Sequence, residues 1–251
     1  MNKLVQEYRR QSRWRRWDEA LARLPLRPGQ RVLDLGCGVG DITARLHEAG
    51  VSVTGVDVNP LLLDLARESH PSLSFVQLDL NLLTPASFGL VDGIWTSFVA
   101  AYFCDLPTTL KQWSDCLAPG GWLALIEIDD LLGHTPLKEE HRQDIKRFYE
   151  SALAAKRYHF TCGRHLATAA KQVGLRVIYE GVLPDPELSF SGAAPSEIVE
   201  AWQLRLSRMV GLRNFLGEQH REVEQELLTA LASSDHRSLA SVIFVLAEKE
   251  G

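Results

Sequence analysis

The sequence predicts an α/β fold: a doubly wound, mostly parallel seven-stranded sheet with an antiparallel last strand, plus a helical cap inserted between the last two strands. Three observations predict it. Between Arg31 and about Ile128, short apolar runs alternate with segments of helical spacing, and that alternation implies a parallel sheet with helices on both faces. The first run, Val32-Leu33-Asp34-Leu35, opens into Gly36-Cys37-Gly38-Val39-Gly40-Asp41, a sharp strand-to-helix turn with glycine at every second position. The second and third runs end in the acids Asp57 and Asp79. Ligands of such sheets lie at the carboxyl ends of the strands, so Gly36, Asp57, Asp79, Ser97 and Glu127 are expected to converge.

Taken in order, the opening segment Tyr8 to Leu21 is helix-forming and is stopped by Pro25 and Pro28. Its arginines and tryptophans allow two readings: a short amphipathic helix packing Trp14, Trp17 and Leu21 inward with arginines outward, or a patch that contacts RNA. A strand follows at 32 to 36, a helix from Gly40 to Ala49, a strand at 52 to 57, a helix from Pro60 to Glu68 and a strand at 74 to 78. Pro60 suits the first turn of its helix, where its φ is preset and its missing donor is not needed. Leu90 to Phe98 reads as the fourth strand, residues 107 to 117 as a helix, and the stretch closing on Asp129 as the fifth strand. Helices are expected over 136 to 156 and 163 to 173, and the last two strands over 175 to 180 and 241 to 247. Between those strands, Pro195 to Leu216 and Gln219 to Leu231 look helical. The expected organisation is therefore a core of residues 29–182 and 239–251 with a cap at 183–238; connections of that length are commonly functional.

Hydrophobic residues at 45% and charged ones at 24% are ordinary for a globular protein. No apolar run is long enough to span a bilayer, and Met1 to Arg16 is too polar for a signal peptide, so a cytoplasmic location without membrane contact is expected. The four cysteines form no Cys-x-x-Cys pair, which argues against a zinc site or disulfide framework. A net charge of -5 argues against a broad nucleic-acid surface.

The pattern Asp34-x-Gly36-x-Gly38-x-Gly40, followed by Asp57 and then Asp79, resembles the class I S-adenosylmethionine-dependent methyltransferases, as does Pro119-Gly120-Gly121 before a strand. Two other nucleotide signatures fit less well. A dinucleotide fingerprint would place its third glycine at position 41, which is Asp, and a phosphate loop needs Gly-Lys-Ser/Thr. The resemblance implies S-adenosylmethionine as cofactor and S-adenosylhomocysteine as product. It implies that Asp34, Gly36, Cys37 and Gly38 face the methionine end and that Asp57, beside Val58, takes the ribose hydroxyls. Asp79 with Leu80 then holds the adenine, and Ser97 and Phe98 line the methionine side. It further implies an N-terminal lid helix over residues 1–28, with Tyr8 and Trp14 near the acceptor.

Methyl transfer is a direct displacement that needs two reactants held collinear and dry, and no nucleophilic triad. An acceptor that must lose a proton gains from a base, and the candidates follow the fifth strand: Glu127, Asp129, Asp130 and, in the loop beyond, His134. Glu127-x-Asp129-Asp130 would also suit a divalent cation, but no spacing locates the remaining ligands, and no metal is expected. Phe98, Tyr102 and Phe103 are placed to sandwich a planar acceptor. Trp202, Arg205, Arg208 and Met209 share a helical face that either meets the pocket or packs in the core, and His236 is a further candidate. The family's Asn/Asp-Pro-Pro-Tyr motif for exocyclic amines is replaced by Thr96-Ser97-Phe98-Val99. The expected acceptor is therefore an oxygen or nitrogen of a small, planar, natural-product-type metabolite, on a monomer or homodimer. The alternative is an RNA or protein methyltransferase that uses the Arg/Trp-rich N-terminus.

Overall fold

The structure is a computed structural model that describes residue 10 and residues 13–251. Tyr8, one of the expected lid residues, lies outside the described residues. Helix α1 (Trp17–Leu21) leads into β1 (Arg31–Leu35), α2 (Asp41–Glu48), β2 (Ser52–Asp57), α3 (Pro60–Ser69) and β3 (Ser74–Gln77). A short α4 (Pro85–Phe88) precedes β4 (Val91–Ser97), α5 (Leu106–Asp115) and β5 (Leu117–Asp129). The remainder comprises β6 (His134–Thr135), α6 (Glu139–Ala154), α7 (Leu166–Gln172), β7 (Leu175–Leu183), α8 (Ser196–Arg208), α9 (Val210–Leu216), α10 (His220–Leu231), β8 (Arg237–Ser238) and β9 (Ser241–Lys249).

Seven strands form one sheet in the order β3-β2-β1-β4-β5-β9-β7. All pairs are parallel except those of β9, which runs antiparallel to both β5 and β7. Strand order reverses between β1 and β4, and the two βα units leave in opposite directions there, so a crevice opens at the carboxyl ends of these strands.

Period-two alternation divides the core. Trp95 of β4 and Trp122, Ala124 and Ile126 of β5 point to one face, while Leu33 and Leu35 of β1, Ile94 of β4 and Leu123 and Leu125 of β5 point to the other. The first face is covered by α1, α6 and the three helices between β7 and β9, whose Trp202, Leu206, Leu212, Val223 and Leu227 join the same apolar cluster. The inserted helices thus complete the main core.

Four local features depart from the sequence reading. In the opening segment read as helix-forming from Tyr8 to Leu21, residues 13–16 are non-helical and the helix starts at Trp17. The expected continuous helix from 195 to 216 breaks at Met209, whose ψ of 66° takes the chain out of helical geometry between α8 and α9. The helix expected from 136 starts at Glu139, because Lys138 is still extended, with ψ 145°. His134 is in neither loop nor helix: it pairs across a two-stranded sheet with Ser238. Among the described residues no helix is long and apolar enough to cross a membrane.

Leu227 is fully buried. Leu227→Ala is expected to lower the unfolding free energy by about 2–5 kcal/mol, the range for a large-to-small core substitution, and to move a single denaturant transition as a whole. A separate early transition for the inserted helices would contradict the shared core.

Candidate functional site

A crevice of about 840 Å³ occupies the reversal point. Its floor is the bend after β1. Gly36 takes φ +72°, and a Cβ there would stand 2.2 Å from Val99 Cγ2, so both conformation and space require glycine. The amides of Gly36 and Cys37 both donate to the Val56 carbonyl, at 2.7 and 3.1 Å, which locks the bend to β2. Gly38 has φ +55°, and a Cβ there would meet nothing within 4 Å, so its bare backbone opens on the crevice.

Asp57 ends β2 beside this backbone. Its Oδ2 accepts from the Gly38 amide at 2.9 Å and its Oδ1 from the Asn59 amide at 2.9 Å. A carboxylate has about four lone-pair sites, so each oxygen keeps acceptor capacity for a vicinal diol in the crevice. Asp79, exposed at the end of β3, accepts from the Asn81 amide and side chain through Oδ1 alone, at 2.9 and 2.8 Å. Cys37, Val58, Leu80, Ser97 and Phe98 line the same crevice. A side-chain-free bend, a diol acceptor and a second acid in line fit an adenosyl group with an amino-acid tail.

Asp34 lies lower. It is 2% exposed, is not part of the crevice lining, and accepts from the Thr43 hydroxyl at 2.6 Å. Burial pushes its carboxyl up to about 7, with the Thr43 bond opposing and the nearby Asp57 charge adding. Its place is under the bend, joining β1 to α2.

The far side of the crevice is aromatic and cationic. Phe98, in the left-handed region at φ +58°, projects between Trp17 at 5.8 Å and the Arg15 guanidinium at 5.3 Å. Tyr102 stands edge-on to Tyr158 at 5.0 Å, and Phe103 is edge-on to Trp113 at 5.4 Å. Arg205, Arg208 and Met209 reach in from the inserted helices. Glu187, fully buried in the β7–α8 connection, binds Arg15 at 2.6 Å and Arg205 at 2.5 Å; Asp185 binds Arg15 at 2.5 Å. The two guanidiniums hold the Glu187 carboxyl below its ordinary range against the opposing effect of burial.

The structure places the candidate bases elsewhere. Glu127 is fully buried, and its two oxygens accept from the Ile128 amide at 2.8 Å and the Ala101 amide at 3.0 Å. Burial raises it to about 7, opposed by those two amides. Asp129 grips Arg164 Nε at 2.8 and 2.9 Å. His134, read from sequence as a loop residue, is 1% exposed, with its Nδ1 3.0 Å from His236 Nε2 and its ring edge-on to Trp202 at 4.7 Å. Burial, then the His236 ring, lowers it to about 3. It borders a separate cavity of about 390 Å³ with Tyr149 and His159. Trp202 is fully buried, donating to the Glu187 carbonyl at 3.0 Å, and Trp14 packs half-buried on the core; neither lines the crevice.

Arg15, Trp17 and Tyr158 line the crevice without having been singled out for it. The amphipathic reading turned the arginines outward, but acids 170 and 172 positions away draw Arg15 in, and such a pairing leaves no local signal. Tyr158 sits in a connector without periodicity.

A family model for a methyltransferase domain matches residues 5–180. Among curated relatives, the chain is 35% identical over 109 residues to a trans-aconitate 2-methyltransferase of Paracidovorax citrulli, covering 43% of this chain and 42% of the relative. It is 35% identical over 108 residues to a malonyl-[acyl-carrier protein] O-methyltransferase of Enterobacter lignolyticus, again covering 43% and 42%. The matched region thus spans less than half the length of either relative. Similar solved structures include an S-adenosylmethionine-dependent methyltransferase of Mesorhizobium loti, with TM-score 0.56 and 20% identity, covering 93% of this chain and 97% of that one. A cyclopropane synthase of Mycobacterium tuberculosis gives TM-score 0.60 and 19% identity, covering 92% and 82%.

Asp57→Ala is expected to weaken S-adenosylhomocysteine binding by about 1–3 kcal/mol, the scale for losing charged hydrogen bonds; unchanged affinity by calorimetry would remove Asp57 from the site. Asp34 supplies a pH test. Its ordinary value is 3.8 and its folded value about 7, so between these the folded state holds the extra proton and stability falls as pH rises. Asp34→Asn should therefore gain stability relative to the parent from pH ~4 to ~7 in thermal unfolding. A pH-independent difference would contradict the buried, proton-retaining carboxyl.

Proposed function

Because the chain belongs to the class I S-adenosylmethionine-dependent methyltransferases, we propose that it transfers the methyl group to an oxygen or nitrogen of a small, planar molecule held under the inserted helices. Gly36 and Gly38 would hold the amino-acid tail, Asp57 the ribose and Asp79 the adenine edge. The sulfonium, when bound, supplies an already activated methyl group. The chain's own task is to position, and orientation with exclusion of water can account for several kcal/mol of the barrier.

The observation that carries the reading is the continuity of one crevice from the bare bend at Gly38 to an aromatic wall of Phe98, Tyr102 and Tyr158 under Arg205 and Met209. At about 840 Å³ it lies within the roughly 300–1,000 Å³ range of small-molecule pockets. Residues 183–238 act here as a cap, and the segment ahead of α1 closes the same side through Arg15.

A macromolecular acceptor finds less support. Of the N-terminal arginines, Arg15 is turned into the crevice with its side chain 5% exposed, Arg16 pairs with Glu19, and Arg23 lies over Tyr179 at 4.2 Å. Incubation with methyl-labelled S-adenosylmethionine and a fractionated cell extract tests the assignment. Label is expected in the small-molecule fraction, at a rate that changes little between low and moderate salt. Label in RNA or protein, with a steep fall as salt rises, would contradict it.

A further inference from the structure

We propose that the methyl acceptor is a small carboxylic acid, bound as its carboxylate by the guanidinium groups of Arg15 and Arg205 and methylated on oxygen. This rests on the transfer reading above and names the substrate class of that same crevice.

The first support is the arginine pair. Arg15 and Arg205 come from opposite ends of the chain, one ahead of α1 and one on α8, and both border the crevice. Both are anchored on Glu187, whose side chain is 0% exposed, by contacts of 2.6 and 2.5 Å. Asp185 fixes Arg15 further at 2.5 Å and is itself held by the amides of Glu187 and Leu188 at 2.9 and 2.8 Å. Withdrawing these charges from water costs several kcal/mol per ion, and apolar side chains of similar volume would often stabilise a fold as well. What the acids supply is orientation. They fix two planar donors, each with five N–H groups, beside the acceptor end, and Arg208 adds a third guanidinium to that lining. The fork geometry of guanidinium matches a carboxylate.

The second support is the position of the bases. An alcohol, phenol or protonated ring nitrogen gives up a proton during transfer. Yet Glu127, Asp129 and His134 all stand outside the crevice lining, held respectively by backbone amides, Arg164 and His236. Among the described residues, the acids that line it are Asp41, Asp57 and Asp79, at the start of α2 and just at or beyond the ends of β2 and β3. A carboxylate is ionised at neutral pH and needs no base. Its oxygen lone pair forms the new C–O bond, the methyl–sulfur electron pair returns to sulfur, and a neutral methyl ester and thioether result with no proton transferred. The ester has lost the charge that the arginines hold, so product release follows from the same contact.

The test begins with calorimetry of S-adenosylhomocysteine on the parent, Arg205→Gln and Arg15→Gln; comparable affinity in all three confirms folded protein with an intact bend. The loaded proteins are then titrated with benzoate, succinate and trans-aconitate, each beside its fully methylated ester. At least one acid is expected to bind the parent roughly tenfold or more tightly than its ester and to lose that advantage in both variants. Arg205→Lys, which keeps charge without the fork, should fall between. If no acid outbinds its ester, or the variants bind it like the parent, the inference is overturned while cofactor binding stands. If the parent fails to bind S-adenosylhomocysteine, the transfer reading itself fails.

Discussion

The hydrogen bond from the Gly38 amide to Asp57 Oδ2, at 2.9 Å, is the contact on which the rest of the site depends. It joins the glycine-rich bend after β1 to the acid at the tip of β2. It also sets the carboxylate's orientation, leaving the other lone pairs toward the crevice. Behind it, the amides of Gly36 and Cys37 share the Val56 carbonyl, so the bend cannot shift without pulling on β2. The reversal of strand order between β1 and β4 then provides the opening above that fixed backbone.

The far side of the crevice is built by a different rule. Where the glycine bend uses contacts between neighbouring strands, the other wall is assembled from segments far apart in sequence: Arg15 ahead of α1, Phe98 after β4, Tyr158 after α6 and Arg205 on α8. Glu187 ties the first and last of these together from a fully buried position. Because Trp202, one turn from Arg205, is locked into the core and donates to the Glu187 carbonyl at 3.0 Å, the orientation of the arginine pair is coupled to the packing of the inserted helices. Buried contacts, more than regular elements, thus hold these groups in place.

This division explains what the sequence disclosed. The sheet, its helices to within a few residues, the bend and Asp57 were legible because each rests on local periodicity or on adjacency in a βα unit. Gly36 shows the limit even there: its positive φ was foreseeable from a turn, but the 2.2 Å approach to Val99 belongs to the tertiary structure. His134 was read as a candidate base in the loop after a strand; a two-residue pairing of β6 with β8, far down the chain, buries it against His236 instead. Trp202 shares a helical face with Arg205 but turns into the core, and spacing alone could not assign the two to different surroundings. Arg15 was hidden by the same cause, since only the folded chain brings Asp185 and Glu187 beside it.

A crystal structure of the protein with S-adenosylhomocysteine tests the central claim most directly. The account requires the amino-acid tail along the backbone of Gly36 to Gly38, both ribose hydroxyls on Asp57, and the sulfur facing the wall of Phe98, Tyr158 and Arg205. A ligand seated anywhere else, or a ribose that leaves Asp57 without a contact, would contradict it.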